Sequence, residues 1–128
     1  MKALFDTHTF LWWNLDSPDL SPGARNFIAD GSNELFLSAA SAWEIAIKFS
    51  RGRLRLPEDP GRYIGERMAH YRFQALPIQL SHALHVYKLP PIHQDPFDRL
   101  LISQSLLENL PILTSDVEIT KYDVQVIW

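Results

Sequence analysis

Short apolar runs alternate along the chain with longer stretches in which apolar side chains recur at helical spacing. An apolar run without a polar face is typical of a strand that is buried on both sides of a sheet. The chain has five such runs, at Ala3–Phe5, Glu34–Leu37, Phe73–Ile78, Pro111–Thr114 and Val124–Ile127. We therefore predict five short strands.

Capping residues set the predicted helix boundaries between these strands. Asp6 starts a helix that ends before Pro18, because Asp caps helices well and Pro cannot continue them. Ser21 and Pro22 supply the cap and first residue of a second helix, which Gly31 closes. The other predicted helices are one that begins between Ser38 and Ser41 and ends at Gly52, then Pro60–Tyr71, Ser81–Tyr87 and Asp98–Asn109.

Strands that alternate with helices predict an α/β domain. The expected architecture is a three-layer sandwich, with a central, mainly parallel five-stranded sheet flanked by helices and joined by right-handed crossovers. A length of 128 residues suits one domain, so we assign residues 1–128 to a single domain. The hydrophobic content of 46% and the charged content of 21% exclude a disordered chain.

Composition also restricts the chemistry and the compartment. The chain has no cysteine, which excludes disulfides and thiolate metal sites and fits a reducing compartment. Its apolar runs are too short to cross a bilayer, and its first residues do not resemble a signal peptide. We therefore expect a cytoplasmic location without membrane association. A net charge of -3 argues against a protein that coats nucleic acid through charge alone.

Four acidic residues are expected to meet at one edge of the predicted sheet. Asp6 follows the first strand, Asp116 follows the fourth, and Glu44 lies in the first or second turn of the helix after the second strand. Asp98 begins the helix before the fourth strand. That helix descends about 18 Å and the next strand climbs about 20 Å, so Asp98 and Asp116 return to the same edge. The carboxyl edge of a parallel sheet is the usual place for a ligand crevice.

Four carboxylates at close range either raise one another's pKa values or bind a cation. Oxygen ligands without cysteine favour a hard ion such as Mg²⁺ or Mn²⁺. The matching chemistry is metal-assisted hydrolysis of a phosphodiester, in which the ion activates water and neutralises the developing charge.

Each acid also has an ordinary structural explanation. Asp6 and Asp116 are both compatible with capping, and Asp98 complements the dipole at a helix start. Ser41 and Glu44 match a capping box, which alone would account for Glu44. The joint placement of the four acids at one edge favours the functional interpretation.

Neighbouring residues are secondary candidates for the same site. Thr7 and Ser115 flank two of the acids and would either orient a water ligand or act as caps. Asp95 would either support the acids or cap the helix that follows Pro96. Arg99 would either hold phosphate or, as the simpler expectation, form a structural ion pair.

Other polar and aromatic residues leave a functional and a structural interpretation open. The pair His82 and His85 suits packing or capping better than zinc, because no third ligand is evident. Lys48 lies four residues after Glu44 and would pair with it on the helix surface. The basic segment 51–55 would either follow an RNA backbone or form a solvated loop. The tryptophans are expected mostly in the core, namely Trp12, Trp13, Trp43 and Trp128.

Four segments together resemble a known family. They are Leu-Phe-Asp-Thr-His at 4–8, Ser-Ala-Trp-Glu-Ile-Ala-Ile-Lys at 41–48, His-Gln-Asp-Pro-Phe-Asp-Arg-Leu-Leu-Ile at 93–102 and Leu-Thr-Ser-Asp at 113–116. In this order they are similar to the PIN domain, and most of all to the VapC-type ribonuclease toxins of toxin–antitoxin pairs. The resemblance spans essentially the whole chain.

This resemblance implies a set of properties. The fold would be a parallel five-stranded sheet flanked by helices. Asp6 and Asp98 would be the main ligands of Mg²⁺ or Mn²⁺, with Glu44 and Asp116 completing the site and helping to position the nucleophile. The activity would be endonucleolytic cleavage of RNA that leaves 5′-phosphate and 3′-hydroxyl ends. The implied partners are a second copy of the chain and a small antitoxin that blocks the pocket.

Two other functions remain open on the sequence. Asp6 after a first strand also suits a phosphatase with an aspartate nucleophile, but such enzymes usually need a second acid two residues later, where this chain has His8. A non-catalytic binding module on the same fold would be favoured by loss of one of the four acids, and all four are present.

Overall fold

The computed structural model describes all 128 residues and contains one five-stranded sheet. The strands are β1 (Lys2–Phe5), β2 (Glu34–Ser38), β3 (Gln74–Leu76), β4 (Ile112–Leu113) and β5 (Val126–Ile127). Their order in the sheet is β3-β2-β1-β4-β5, and every neighbouring pair is parallel. The central strand is β1, where Leu4 pairs with Phe36 on one side and with Ile112 on the other. The predicted parallel α/β architecture is confirmed.

Six α-helices connect the strands, as predicted. They are α1 (Thr7–Asn14), α2 (Pro22–Ala29), α3 (Ala39–Ser50), α4 (Pro60–Tyr71), α5 (Leu80–His85) and α6 (Pro96–Glu108). There are also two short 3-10 helices, one directly after α5 at Val86–Lys88 and one between β4 and β5 at Ile119–Lys121. One boundary near the acids differs from the prediction, because α6 begins two residues before Asp98. It begins there because Asp95 accepts hydrogen bonds from the first backbone N–H groups and Pro96 occupies the first helical position.

Side chains of β1 alternate between the two faces of the sheet and so divide the core. Ala3 and Phe5 point to one face and pack with residues of α1, α2 and α3, whereas Leu4 points to the other and packs with Leu101 and Ile102 of α6. All five side chains are fully buried. Helices therefore cover both faces, and this explains why the strands are continuous apolar runs. None of the helices has the length and apolar character needed to cross a membrane.

The strand order places a topological switch point at the centre of the sheet. The chain passes outward from β1 to β2 and β3, and then returns to the other side of β1 to form β4 and β5. The carboxyl ends of β1 and β4 therefore diverge into connections on opposite sides, which leaves a crevice between them. Asp6 and Asp116 follow these two strands, so the fold brings them to that crevice.

Candidate metal centre

Asp6 occupies the N-cap position of α1 without acting as its cap. Its backbone has the extended conformation of a cap residue, but its side chain accepts no hydrogen bond from the helix. Instead Oδ2 accepts a hydrogen bond of 2.7 Å from the hydroxyl of Thr114, and the residue is buried. Capping by its side chain therefore does not account for Asp6.

Thr114, the residue after β4, connects two of the acids. Its hydroxyl donates to Asp6 and accepts a hydrogen bond of 3.0 Å from the backbone N–H of Asp116. The sequence analysis missed this residue and named the neighbouring Ser115, which is exposed to solvent. The signal that was available is the position of Thr114 at the end of a central strand beside the switch point.

Glu44 lies in the second turn of α3 with a buried and incompletely paired carboxylate. The residue is 3% exposed, and its Oε2 lies 2.7 Å from Nζ of Lys48, as the spacing of four residues predicted. Its Oε1 is buried and has no hydrogen-bond partner. The capping box that would have explained Glu44 does not form: α3 is capped by Ser38, and Ser41 instead accepts a hydrogen bond of 2.8 Å from Thr7.

The start of α6 separates the roles of two acids that are three residues apart. Asp95 is the N-cap, and its Oδ1 accepts hydrogen bonds from the N–H groups of Phe97 and Asp98. This confirms the capping interpretation of Asp95. Asp98, in the first turn, is free of any capping role, and its side chain is 14% exposed. Asp116 uses Oδ1 to accept a hydrogen bond from the N–H of Glu118, which leaves Oδ2 available.

His93 also belongs to this cluster, although the sequence analysis gave it no role. Its Nε2 lies 2.9 Å from Oδ2 of Asp98 and 3.6 Å from Oδ2 of Asp116. The ligand atoms of these three residues lie within 4.8 Å of one another, a spacing that suits a metal ion. However, Nδ1 of His93 accepts a hydrogen bond from the N–H of Asp95. The neutral ring then carries its proton on Nε2, so the nitrogen that faces the acids has no free lone pair for a metal.

The field of the clustered acids perturbs their protonation. Burial raises the pKa of Asp98 to about 8. Negative charges add to this effect, in decreasing order those of Asp6, Asp95, Glu44 and Asp116. Burial also raises the pKa of Asp6, although the hydroxyl of Thr114 opposes the rise by donating to the carboxylate. The acids therefore interact across the crevice, as expected of four carboxylates that share one edge of the sheet.

This donor set fits a hard divalent cation. The free groups at the crevice are carboxylate oxygens, which Mg²⁺ and Mn²⁺ prefer. The buried Oε1 of Glu44 lacks any partner within the protein, and a buried carboxylate oxygen of this kind is costly unless a cation or hydrogen-bond donor reaches it.

Three other candidates have structural roles. Thr7 links α1 to α3 through its hydrogen bond to Ser41. The predicted ion pair of Arg99 is wrong: its guanidinium donates to backbone carbonyls of the 86–93 segment and to the hydroxyl of Tyr122. His82 is buried, accepts a hydrogen bond from the N–H of Gln79 and lies 3.0 Å from Glu108, which agrees with a capping and packing role.

The expectation that the tryptophans lie mostly in the core is wrong: none of the four is fully buried, and Trp12 and Trp13 pack against the core from half-buried positions. Trp43 is 58% exposed and packs edge-on against Phe97 near the acids. The indole of Trp12, in the last turn of α1, contacts the indole of Trp128, with ring centroids 6.0 Å apart.

Comparison with known proteins places this geometry in a family context. A family model described as PIN domain matches residues 3–125. Ribonuclease VapC16 of Mycobacterium tuberculosis is 39% identical to the chain over 61 residues, which make up 48% of this chain and 43% of that protein. The match thus spans less than half the length of this relative.

Solved structures with the same fold include two that match almost the full chain. VapBC2 from Rickettsia felis, bound to a DNA fragment from its promoter, has a TM-score of 0.73 at 12% identity and covers 98% of this chain and 97% of its own. FitAcB from Neisseria gonorrhoeae has a TM-score of 0.67 at 18% identity and covers 98% of this chain and 96% of its own. At these identities the similarity establishes the fold alone.

Proposed function

The chain belongs to the PIN domain family, and on that premise we propose that it is a metal-dependent endoribonuclease that acts as the toxin of a toxin–antitoxin pair. The observation that carries this proposal is the meeting of four carboxylates at the switch point of the sheet, one of them with a buried oxygen that lacks a partner. We assign residues 1–128 to one domain, of which the family match covers 3–125. The curated relative that supports the activity is named a ribonuclease.

We assign the binding of Mg²⁺ or Mn²⁺ to the four acids Asp6, Glu44, Asp98 and Asp116. When bound there, the ion would activate water for attack on a phosphodiester and stabilise negative charge on the phosphate. The metal also requires ionised ligands, so its binding at neutral pH would release the proton that the raised pKa of Asp98 retains.

The surrounding residues hold these acids in place. Thr114 fixes the carboxylate of Asp6 through its hydroxyl and orients the backbone of Asp116. Removal of a hydrogen bond that a neighbouring residue makes to a metal ligand typically lowers metal affinity by about 10- to 100-fold. His93 places an N–H close to Asp98 and Asp116, where it lowers the repulsion between them in the metal-free protein.

The proposed partners are RNA as substrate, a small antitoxin that blocks the acidic crevice, and a second copy of the chain. Solved relatives of this fold are complexes named VapBC2 and FitAB, and two of these structures contain DNA. For the homodimer we propose an exposed apolar surface on α5 and its neighbours, which we call the α5 patch. It consists of Leu80, Leu84, Tyr87 and Leu107, and exposed apolar groups of this kind mark protein interfaces.

The α5 patch is tested by the mass of the protein in solution. Leu84→Glu places a charge in the patch and should convert a dimer into a monomer, as measured by light scattering after gel filtration. A wild-type protein that is monomeric at high concentration, or a variant that remains dimeric, would contradict the assignment of this surface.

The ribonuclease proposal is tested by cleavage of defined RNAs in Mg²⁺, in Mn²⁺ and in chelator, followed by mapping of the ends. We expect metal-dependent cleavage that leaves 5′-phosphate and 3′-hydroxyl ends, and no hydrolysis of a small phosphate ester. Asp6→Asn and Asp98→Asn should each abolish cleavage, whereas Asp123→Asn, at an exposed acid away from the crevice, should not. Full activity of either crevice variant with saturating metal would refute the assignment.

A further inference from the structure

A groove adjoins the acidic crevice on the side of α3. It has a volume of about 360 Å³ and lies between the second half of α3 and the start of α6. Glu44 lines the groove and also belongs to the acidic cluster, so the groove borders the acids. The volume falls in the range of ligand pockets, roughly 300–1,000 Å³.

Three cationic side chains line the α3 side of this groove, namely Lys48, Arg51 and Arg53. Lys48 pairs with Glu44, whereas Arg51 and Arg53 are exposed and form none of the salt bridges in the structure. The side formed by α6 contributes one acid, Asp95, whose carboxylate already accepts hydrogen bonds from the helix N-terminus. The exposed charge of the groove is therefore positive.

The turn that ends α3 places both arginines beside the groove. Gly52 has a φ of 69°, a conformation that favours glycine, and the N–H of Arg53 returns to the carbonyl of Lys48. This turn reverses the chain after Arg51, so that Arg51 and Arg53 line the same cavity. Arg55, two residues further along, is equally exposed but does not line it.

A purely structural account explains only part of this arrangement. Cations near the last turn of a helix complement its dipole, which would account for Lys48 and Arg51. It does not account for Arg53, which lies beyond the helix, nor for a concave wall that leads to Glu44. Moreover, the chain has a net charge of -3 and gathers four acids at the crevice. A polyanion would be repelled from that crevice unless a local strip of cations bordered it.

We propose that this groove binds the phosphodiester backbone of single-stranded RNA, next to the bond that is cleaved at the acidic crevice. This inference rests on the proposed ribonuclease function and adds to it a substrate-binding site. Arg51 and Arg53 bind phosphate oxygens through their guanidinium groups, which match phosphate in geometry and charge. Lys48 lies between the groove and the crevice and keeps Glu44 paired until substrate and metal arrive.

The test is binding of a fluorescently labelled single-stranded RNA, measured by fluorescence anisotropy. Chelator is present throughout, so that no metal-dependent cleavage occurs. Counterion release makes each phosphate contact worth about fivefold in affinity at 0.1 M salt. Arg53→Ala should therefore weaken binding about fivefold and reduce the salt slope by about 0.7, and Arg51→Ala/Arg53→Ala should weaken it about 25-fold. Arg55→Ala is the matched control and should bind as the wild type does. In the metal-dependent cleavage assay, Arg53→Ala should raise KM and leave kcat nearly unchanged.

The outcomes separate this proposal from the proposed function. Equal affinities of Arg53→Ala and Arg55→Ala overturn the groove, and the ribonuclease proposal then stands or falls by the metal dependence of cleavage and by the Asp98→Asn variant. Failure of the wild-type protein to bind RNA in chelator also overturns the groove. The proposal is also overturned if Arg53→Ala loses affinity for an acidic peptide while its RNA binding is unchanged. That result would assign the groove to a protein partner.

Discussion

Replacement of Asp98 by asparagine should stabilise the metal-free protein, and the gain should grow with pH. Burial and the surrounding acids raise the pKa of Asp98 to about 8 in the folded protein, from the ordinary value of 3.8. At neutral pH the unfolded chain is therefore ionised at this position while the folded chain holds a proton. The unfolded state binds fewer protons, so the free energy of unfolding falls as the pH rises between these two values. Asparagine has nearly the same shape and cannot ionise.

The magnitude follows from the two pKa values. A pKa that moves from 3.8 to about 8 corresponds to a loss of about 6 kcal/mol in the free energy of unfolding between pH 4 and pH 8. The side chain keeps 14% of its surface in contact with solvent, and solvent screening reduces the effect, so we expect a gain of about 3 kcal/mol at pH 8. The gain should disappear near pH 4.

The assay is urea denaturation in chelator at several pH values between about 4.5 and 8.5, with unfolding monitored by circular dichroism. Asp123→Asn is the matched control, because it removes the same charge from an exposed position. The difference between Asp98→Asn and the wild type should widen steadily with pH, and that of the control should stay flat. A difference that does not depend on pH, or a variant that is less stable than the wild type at pH 8, would refute the conclusion that Asp98 lies in a desolvated and repulsive cluster.

Three further predictions concern the residues around the crevice. Thr114→Val should weaken Mn²⁺ binding at least about tenfold in calorimetric titration, because Asp6 loses its hydrogen-bond donor, whereas Thr114→Ser should restore it; equal affinities of the two variants would contradict this role. Arg99→Lys should lower the free energy of unfolding by about 2 kcal/mol and accelerate amide exchange in the 86–93 segment, because the single nitrogen of an ammonium cannot replace contacts that are divided between two guanidinium nitrogens. Mn²⁺ at about 100 times its Kd should raise the free energy of unfolding of the wild type by about 3 kcal/mol and leave Asp6→Asn nearly unchanged, as measured by thermal denaturation; an equal shift in both would place the ion elsewhere.

The order and type of the elements follow from the sequence because its local signals agree with its tertiary structure. The strands are apolar on both faces, and every α-helix but α1 and α5 begins at a proline or at a serine cap that the structure uses. The shortest strands were predicted with too many residues. The assigned strand β4 is only Ile112 and Leu113, although the carbonyl of Pro111 still accepts a hydrogen bond from the N–H of Leu4 and the N–H of Thr114 still donates to the carbonyl of Ile127. Apolar character alone cannot locate the ends of such a strand.

The acids of the crevice were found from topology, whereas their partners were not. Strand order and helix length suffice to bring Asp6 and Asp116 to one edge, because both follow directly from a parallel sheet. The hydroxyl of Thr114 reaches Asp6 across 108 residues of sequence. The ring of His93 reaches Asp98 from a loop without regular secondary structure. Sequence spacing carries no information about such contacts. The capping box at Ser41 failed for a related reason, since its hydroxyl is committed to Thr7 in another helix.

The position of the acids on the fold explains how the protein keeps repelling carboxylates close together. Asp6 and Thr114 directly follow β1 and β4, the two strands that flank the switch point, and the residues before them, Phe5 and Leu113, are fully buried. The core therefore holds the carboxylate of Asp6 and its partner Thr114 in place even though the clustered acids repel one another. A loop that carried the same residues would relax away from the cluster. Variants of the crevice acids should therefore lower metal affinity and raise the free energy of unfolding of the metal-free protein, whereas loss of a side chain that only supported the fold would lower both.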